Sequence, residues 1–385
     1  MILGIDACFI TNKYLGGKEQ VLLNLIKGFV EYGKNIEIIV FGSVESKPKF
    51  MKISTKIQFI TSPILNLKII KKQTLKALIF RSFFIQNLIN KYKIDILLMN
   101  ISYTGFKKYS IPTILLPHDI QFKYIQNNNK ETKSLNHYIS YFKDSFFYFL
   151  DFKIRDYIIA ISDFDKKEIQ KHYPKFNKKI KRIYNPVITN SNIIDKSTIN
   201  LGFNMQEPYI FSNNLSYIHK NLKTLLKAFD YITEKSNVKL VVSGSLYTDD
   251  ESKELIKKLK EKNRLITTGY LEEKEFYYVL KKSSLFVNPS SFEGFGMSAV
   301  EAMISSVPCL LANNTATYEV SKGLADYYSP ADNYKLLGDS IIKALDKEQN
   351  KENLKIISQK LKEAYSLEKI TCEYIEFFNS INLTK

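Results

Sequence analysis

Residues 285–313 read LFVNPSSFEGFGMSAVEAMISSVPCLLAN. The apolar run opening this stretch ends at about Pro289 and has the length and bounds of a buried strand. A polar loop follows, carrying Glu293-Gly294-Phe295-Gly296, and a helix begins near Met297. Val307, placed before Pro308, is pushed toward extended geometry, so the helix ends there and a second strand, VPCLL, takes over. Strand, glycine loop, helix and strand in direct succession make a βαβ unit, and such units imply a parallel sheet.

Outward from this stretch the same alternation fills the chain. Toward the N-terminus lie ILGID (2–6), IEIIVF (36–41), IQFI (57–60), IDILLM (94–99), TILL (113–116) and YIIAI (157–161), with helix-length stretches at 18–32, about 74–92 and about 130–152. Runs buried on both faces and joined by helices are the mark of parallel sheets. Ser162, followed by the acidic DFD, reads as a helix cap. The rhythm breaks at PVITNSNIIDKSTINLGFNMQEP (186–208), which is polar and bracketed by prolines, and restarts with YIFS (209–212), VKLVVSG (238–244) and RLITTG (264–269). The expected organisation is an N-terminal Rossmann-like domain at 1–188, a linker at 189–206 and a second Rossmann-like domain at 207–365. A C-terminal helix at 366–385 could return to the first domain. The fold class is α/β, with two doubly wound domains.

The chain has 385 residues, too many for one core, with 45% hydrophobic and 25% charged residues, a balance that excludes a disordered chain. No apolar run is long enough for a transmembrane helix. The opening MILGIDACFITNKY has no basic region ahead of an apolar core and reads as a first strand, not a secretory leader. Cys8, Cys309 and Cys372 are far apart and odd in number, which suits buried, reduced thiols in a cytoplasmic protein. The formal charge of +17 attracts nucleic acid, anionic lipid or phosphorylated small molecules alike. Its densest run, residues 46–94, holds eleven Lys or Arg and no Asp or Glu, interleaved with Phe, Leu and Ile. That run is either an ordinary solvated face or a contact for an anionic membrane surface.

Two glycines at a strand-to-helix turn let the backbone approach a ligand, and the helix start offers amides and a positive dipole end. That combination suits a pyrophosphate. Glu301, about one turn into the helix, can accept hydrogen bonds from neutral hydroxyls such as those of a ribose. Glu293, on the loop, can reach whatever lies beyond the phosphates. The same turn also joins α/β elements that bind nothing, and two glutamates eight residues apart are also ordinary surface charges.

The stretch resembles the Glu-x7-Glu motif of retaining family 4 glycosyltransferases (glycosyl transferases group 1), which have the GT-B fold of two Rossmann-like domains facing across a cleft. The resemblance covers nearly the whole chain. NNLSYIHKNLKTLLKAF (213–229) is similar to the family's phosphate-binding turn, and RDYIIAISDFDKKEI (155–169) with RIYNPV (182–187) to the end of its first domain. LLPHDI (115–120) is similar to its His-Asp loop, and GIDACFITNKYLGGKEQVLLNLIKGF (4–29) to its opening strand, glycine loop and helix. The resemblance implies a nucleoside-diphosphate sugar held mainly by the C-terminal domain, with Glu301 on the ribose and Glu293 beside the donor sugar. The amides of Gly294, Phe295, Gly296 and Met297 would meet the pyrophosphate, Lys220 would neutralise the departing diphosphate, and Gly269-Tyr270 would lie near the nucleobase. Gly16 and Gly17 would close over the diphosphate, and His118 would line the cleft near the transferred sugar. Many relatives carry arginine where this chain has Asn214, which can donate a hydrogen bond but supplies no charge.

The implied reaction is retaining transfer of a hexosyl or deoxyhexosyl group to an acceptor hydroxyl, with a glycan or lipid-linked acceptor of bacterial surface type (O-antigen or capsule). The chain would work in the cytoplasm, peripheral on the inner face of the plasma membrane. No cofactor or metal is expected: Asp249-Asp250-Glu251 reads as an acidic helix start. His219 is expected to be exposed and His118 is equally readable as a structural loop histidine. The aromatic run 137–152 is expected to be a helix packed on the sheet. A GT-B sugar-nucleotide epimerase would share the nucleotide site but need no acceptor. A basic nucleic-acid-binding protein would account for the charge, but the sequence holds no recognised nucleic-acid module, and nucleic acid is not an expected partner.

Overall fold

The computed structural model describes residues 1–12, 16–67, 69–128, 135–189, 205, 207–348 and 350–382. Nearly all of the expected linker at 189–206, and Lys68 of the basic run, lie outside the described residues. The chain divides into two compact units, Met1–Pro186 with Tyr365–Lys385, and Val187–Ala364.

The first unit is built on strands β1 (Ile2–Asp6), β2 (Glu37–Phe41), β3 (Gln58–Ile60), β4 (Ile96–Met99), β5 (Thr113–Leu115), β6 (Tyr157–Ala160) and β7 (Ile180–Arg182). They form one parallel sheet in the order β3-β2-β1-β4-β5-β6-β7. The central strands are apolar without alternation because helices cover both faces; Ile96–Met99 is buried throughout. The second unit has β8 (Tyr209–Asn213), β9 (Lys239–Ser243), β10 (Leu265–Gly269), β11 (Leu285–Asn288), β12 (Cys309–Ala312) and β13 (Asp326–Tyr328), parallel in the order β10-β9-β8-β11-β12-β13. In each sheet the strand order reverses beside its first strand, between β1 and β4 and between β8 and β11. Doubly wound sheets open a ligand crevice at the carboxyl ends of strands at that switch point.

Helix ends follow local chemistry. Ser162 caps the helix Asp163–His172 by accepting the Asp165 amide at 3.0 Å. Asp249 likewise caps Asp250–Glu261 through the Ser252 amide, and Glu272 with Glu275 forms a capping box at Glu273–Lys282. The last helix, Leu367–Asn382, belongs to the first unit and lies against Gly17–Tyr32. Gly28 permits that approach: a Cβ there would stand 2.0 Å from the Thr371 hydroxyl oxygen. Phe29 fills the same seam against Tyr374 and Phe378.

Two expected elements differ. The helix read at about 74–92 is two helices, Gln73–Phe83 and Ile85–Lys91, which meet at Phe84. The helix Leu135–Ile154 does pack on its inner side through Tyr148 and Phe152, but Leu135, Ile139, Phe142, Phe146 and Phe149 are exposed. An aromatic-rich helix gives the same composition signal whether one face is covered or two.

Candidate functional site

At the switch point of the second sheet, the segment after β8 meets the segment after β11. Past β8 the chain makes a tight turn at Ile218–Lys220, then Asn221 adopts a left-handed backbone (φ 59°) and starts the helix Leu222–Ile232. Asn tolerates that conformation. Its side chain fastens the turn, donating to the carbonyls of Pro289 at 3.1 Å and Ala331 at 2.8 Å, so the end of β11 and the Lys220 turn are held together. The Ser291 amide, in turn, donates to the His219 carbonyl at 2.7 Å.

Lys220 Nζ reaches Glu293 Oε1 at 2.7 Å, and Asn288 Nδ2 donates to the same oxygen at 3.3 Å. Burial pushes the Glu293 carboxyl up. Lys220 outweighs it, helped by hydrogen bonding from Ser290 and by His219, and holds the group below the usual carboxylate range. The loop beneath is fixed by the Glu293 amide, which donates to Thr315 Oγ1 at 3.0 Å, and by the Ala316 amide, which donates to the Glu293 carbonyl. Gly296, at φ 90°, then starts the helix Met297–Ile304. Only glycine enters that conformation without strain. Gly294, Phe295 and Gly296 are buried, while Met297 and Ser298 are half-exposed at the helix mouth.

Glu301 lies half-buried in the same helix, and burial together with the charge of Glu273 pushes its carboxyl up to about 8. Asn214, exposed and also left-handed (φ 57°), donates to Ser298 Oγ at 3.3 Å. The position that lacks the arginine therefore still reaches the mouth of the Met297–Ile304 helix. Gly269 ends β10 with φ 69° and gives its carbonyl to the Gly244 amide; Tyr270 beside it is exposed.

In the first unit, Gly16 (φ 83°) precedes the helix Gly17–Tyr32, and a Cβ on Gly16 or Gly17 would meet nothing within 4 Å. His118 is buried, with Nε2 at 3.1 Å from the Asn100 carbonyl and 3.2 Å from its Oδ1. Burial and the charge of Lys18 keep this imidazole neutral. Asn100 also donates to the Lys18 carbonyl at 3.1 Å, tying the helix start to the His118 loop at the switch point between β1 and β4. A cavity of about 320 Å³ opens there, lined by Phe9, Lys18, Tyr103, Asp119, Phe122 and Tyr148 among others.

The structure thus gathers Lys220, Glu293, Gly294, Phe295, Gly296, Met297, Glu301 and Asn214 around one helix start. Gly16, Gly17 and His118 share one end of the first sheet. His219 is buried, not exposed as its neighbour Lys220 suggested: its ring stacks on Tyr217, and burial and Lys220 push its pKa down to about 4. Sequence reasoning missed Asn288, Asn221 and Asn100. The only signal was their place: Asn100 follows a strand, Asn288 closes one and Asn221 adjoins Lys220. Of the thiols expected to be buried, Cys8 and Cys309 are, and Cys372 is exposed. Asp249 and Glu251 face Lys223, at 2.9 and 2.7 Å, and Glu251 also reaches Lys227. Among the described residues no group of three His, Cys, Asp or Glu side chains is arranged to hold a metal.

Residues 194–361 match the family model for glycosyl transferases group 1, and residues 15–191 match that for Glycosyltransferase Family 4. An uncharacterized glycosyltransferase of Methanocaldococcus jannaschii is 28% identical over 173 residues, which are 43% of this chain and 44% of that protein. The O-antigen chain mannosyltransferase RfbU of Salmonella typhimurium is 26% identical over 176 residues, 46% of this chain and 47% of its own length. The matched stretch thus spans less than half of these relatives. The structure of Anabaena HepE in complex with UDP and glucose superposes with a TM-score of 0.69 at 16% identity, covering 98% of this chain and 99% of that one.

Proposed function

The chain belongs to the family 4 glycosyltransferases and has their GT-B fold, and on that premise we propose that it is a retaining transferase moving a sugar from a nucleoside diphosphate to an acceptor hydroxyl. The observation that carries this reading is the meeting of Lys220, Glu293 and the Met297–Ile304 helix start at one switch point. A helix N-terminus with a lysine beside it is a site for a diphosphate. When the sugar–oxygen bond breaks, charge grows on the diphosphate, and Lys220 stabilises it in proportion. Lys220 holds Glu293 in the free protein, so donor binding transfers the ammonium from the carboxylate to the phosphate. Glu293, released and ionised, then faces the sugar's hydroxyls and its developing positive charge. With Glu293 held by Lys220 and Asn288, the reading is same-face attack, with the leaving diphosphate taking the acceptor's proton.

Glu301 serves the ribose, and Gly269-Tyr270 the base. In the first unit, the amides beside Gly16 and Gly17 suit an anion, and the neutral imidazole of His118 suits a sugar hydroxyl, since it donates or accepts a hydrogen bond without repelling Lys18. No metal or cofactor is required in this scheme, since cations and helix ends do the neutralising. The acceptor is a glycan, lipid-linked and of bacterial surface type, as the name of the O-antigen relative suggests. An anionic membrane surface met through residues 46–94 would bring it within reach on the cytoplasmic side. Of that run, Arg81 and Lys49 are spent on Asp6 and Glu19, whereas Lys71 and Lys72 are exposed. No helix among the described residues is long and apolar enough to cross a membrane. The test is a screen of UDP-, GDP- and dTDP-sugars by thermal shift, followed by transfer from the stabilising donor: binding with no transfer to any lipid-linked glycan would refute the activity.

A further inference from the structure

The cavity at the switch point of the first sheet is walled by the segments that follow β1, β4 and β5, by the helix Gln73–Phe83 and by the helix Leu135–Ile154. Its volume of about 320 Å³ falls at the small end of ligand sites. One wall residue, Tyr103, has a left-handed backbone (φ 67°), which disfavours a bulky side chain. Three groups hold it there. Its amide donates to Asp151 Oδ2 at 2.6 Å, its carbonyl accepts from Arg81 Nη1 at 2.9 Å, and its hydroxyl donates to Asp144. Its ring also stacks on Phe147, with centroids 4.3 Å apart. Backbone strain persists where the surroundings over-determine it, and it gathers at ligand sites. A second wall residue points the same way. The Ser102 hydroxyl, buried beside that of Tyr148, has no hydrogen bond of ordinary geometry among the described residues. The Tyr148 hydroxyl donates to the Asp119 carbonyl at 3.1 Å. A buried hydroxyl left open on a cavity wall is completed by whatever the cavity holds.

The charges on the wall decide the chemistry of the occupant. They are Lys18, Arg81, Asp119 and Asp144. Every nitrogen of the Arg81 guanidinium is engaged, two on Asp6 and one on the Tyr103 carbonyl, so it has nothing to offer an anion. Asp119 Oδ1 takes the Gln121 amide at 3.2 Å, and its Oδ2 accepts from no described residue. Asp144 keeps accepting capacity beyond the Tyr103 hydroxyl, and the ammonium of Lys143, 3.8 Å away, is exposed and screened by water. A phosphate or carboxylate in the cavity would meet Lys18 alone, against two carboxylates. Ionised carboxylates are acceptors only, so they suit donors such as sugar hydroxyls. Phe9 and Phe122, both half-buried on the wall, suit the apolar C–H face of a sugar ring. We infer that this cavity selects an acceptor ending in an uncharged sugar, whose hydroxyls donate to Asp119 and Asp144, and rejects one bearing phosphate or carboxylate on that ring. The inference rests on the proposed transfer to an acceptor hydroxyl and adds to it the charge class of the acceptor and the residues that choose it.

The experiment is saturation-transfer NMR titration of the full chain with methyl glycosides. The neutral probes are those of glucose, galactose, mannose and N-acetylglucosamine; the charged ones are methyl glucuronide and methyl mannoside 6-phosphate. Wild type is compared with Asp119→Asn/Asp144→Asn and with Ser102→Ala. Asparagine keeps an oxygen for the Gln121 amide and the Tyr103 hydroxyl, and melting curves verify each fold. Wild type should bind at least one neutral glycoside and hold both charged ones at least about tenfold more weakly. The double variant should lose about tenfold or more in affinity for the neutral glycoside, because hydrogen bonds to charged acceptors are removed. It should also bind the charged glycosides more tightly than wild type does, a gain that a merely structural role of the two carboxylates would not produce. Ser102→Ala should weaken the neutral glycoside and keep the preference against charge. Binding of no neutral glycoside by wild type overturns the inference, as does equal affinity for neutral and charged glycosides, or a double variant indistinguishable from wild type. Calorimetric binding of nucleoside diphosphates should be the same in all three proteins. A chain that binds the neutral glycosides but no nucleotide contradicts the donor reading and leaves this cavity's specificity in place.

Discussion

In its proposed role as ribose ligand Glu301 would accept hydroxyls best as a carboxylate, yet in the free protein it is pushed up to about 8. Donor hydroxyls donating to it favour the ionised form and lower that value, so binding near neutral pH releases a proton. Affinity for a nucleoside diphosphate should therefore rise with pH and level off above about 8. Calorimetry in two buffers of different ionisation enthalpy would show the released proton, and Glu301→Gln should abolish it while weakening binding by about 1.5–3 kcal/mol. The stability sign runs the other way. An acid whose pKa is raised by folding contributes most while protonated, so this group's contribution is lost as pH rises through its folded value. Glu293 gives a contrasting prediction. Glu293→Gln leaves the diphosphate's own contacts in place and frees Lys220, so bare diphosphate binding should be undiminished or tighter while turnover falls at least about tenfold. At this scale the sequence revealed the charged and glycine positions, because motif chemistry needs those residue types. It did not reveal Asn221, Asn288 or the burial of His219. Those depend on which loop the Lys220 turn is laced to, a tertiary fact with no local pattern.

The helices show why element type was more legible than element surroundings. Ser162, Asp249 and Glu272 announce helix starts because capping is settled within a few residues. The break at Phe84 has no glycine or proline to announce it, and the open face of Leu135–Ile154 depends on what the fold leaves uncovered. The return of Leu367–Asn382 onto Gly17–Tyr32 rests on Gly28, whose missing side chain leaves room for Thr371. Gly28→Ala would place a methyl inside that hydroxyl's space. The expected cost is about 1–3 kcal/mol, seen as a lower denaturation midpoint with an unchanged slope. A neutral or stabilising Gly28→Ala would mean that the two helices do not pack as described.

Over the whole molecule, two sheets whose first six strands follow the same order repeat one solution to burying parallel strands, and the repeat was legible because apolar runs and helices alternate throughout. The net charge of +17 shows where the sequence stops being specific, since it invites phosphate, lipid and nucleic acid equally. Geometry narrows that choice by setting Lys220 and a helix start together at the switch point of the second unit. Isothermal titration of UDP, GDP and dTDP into wild type, Lys220→Ala and Glu301→Gln tests this most directly, with melting curves verifying each fold. One of these nucleotides should bind wild type at a single site, and each substitution should weaken it at least about tenfold. Binding of none of them to wild type, or equal affinity in all three proteins, would contradict it.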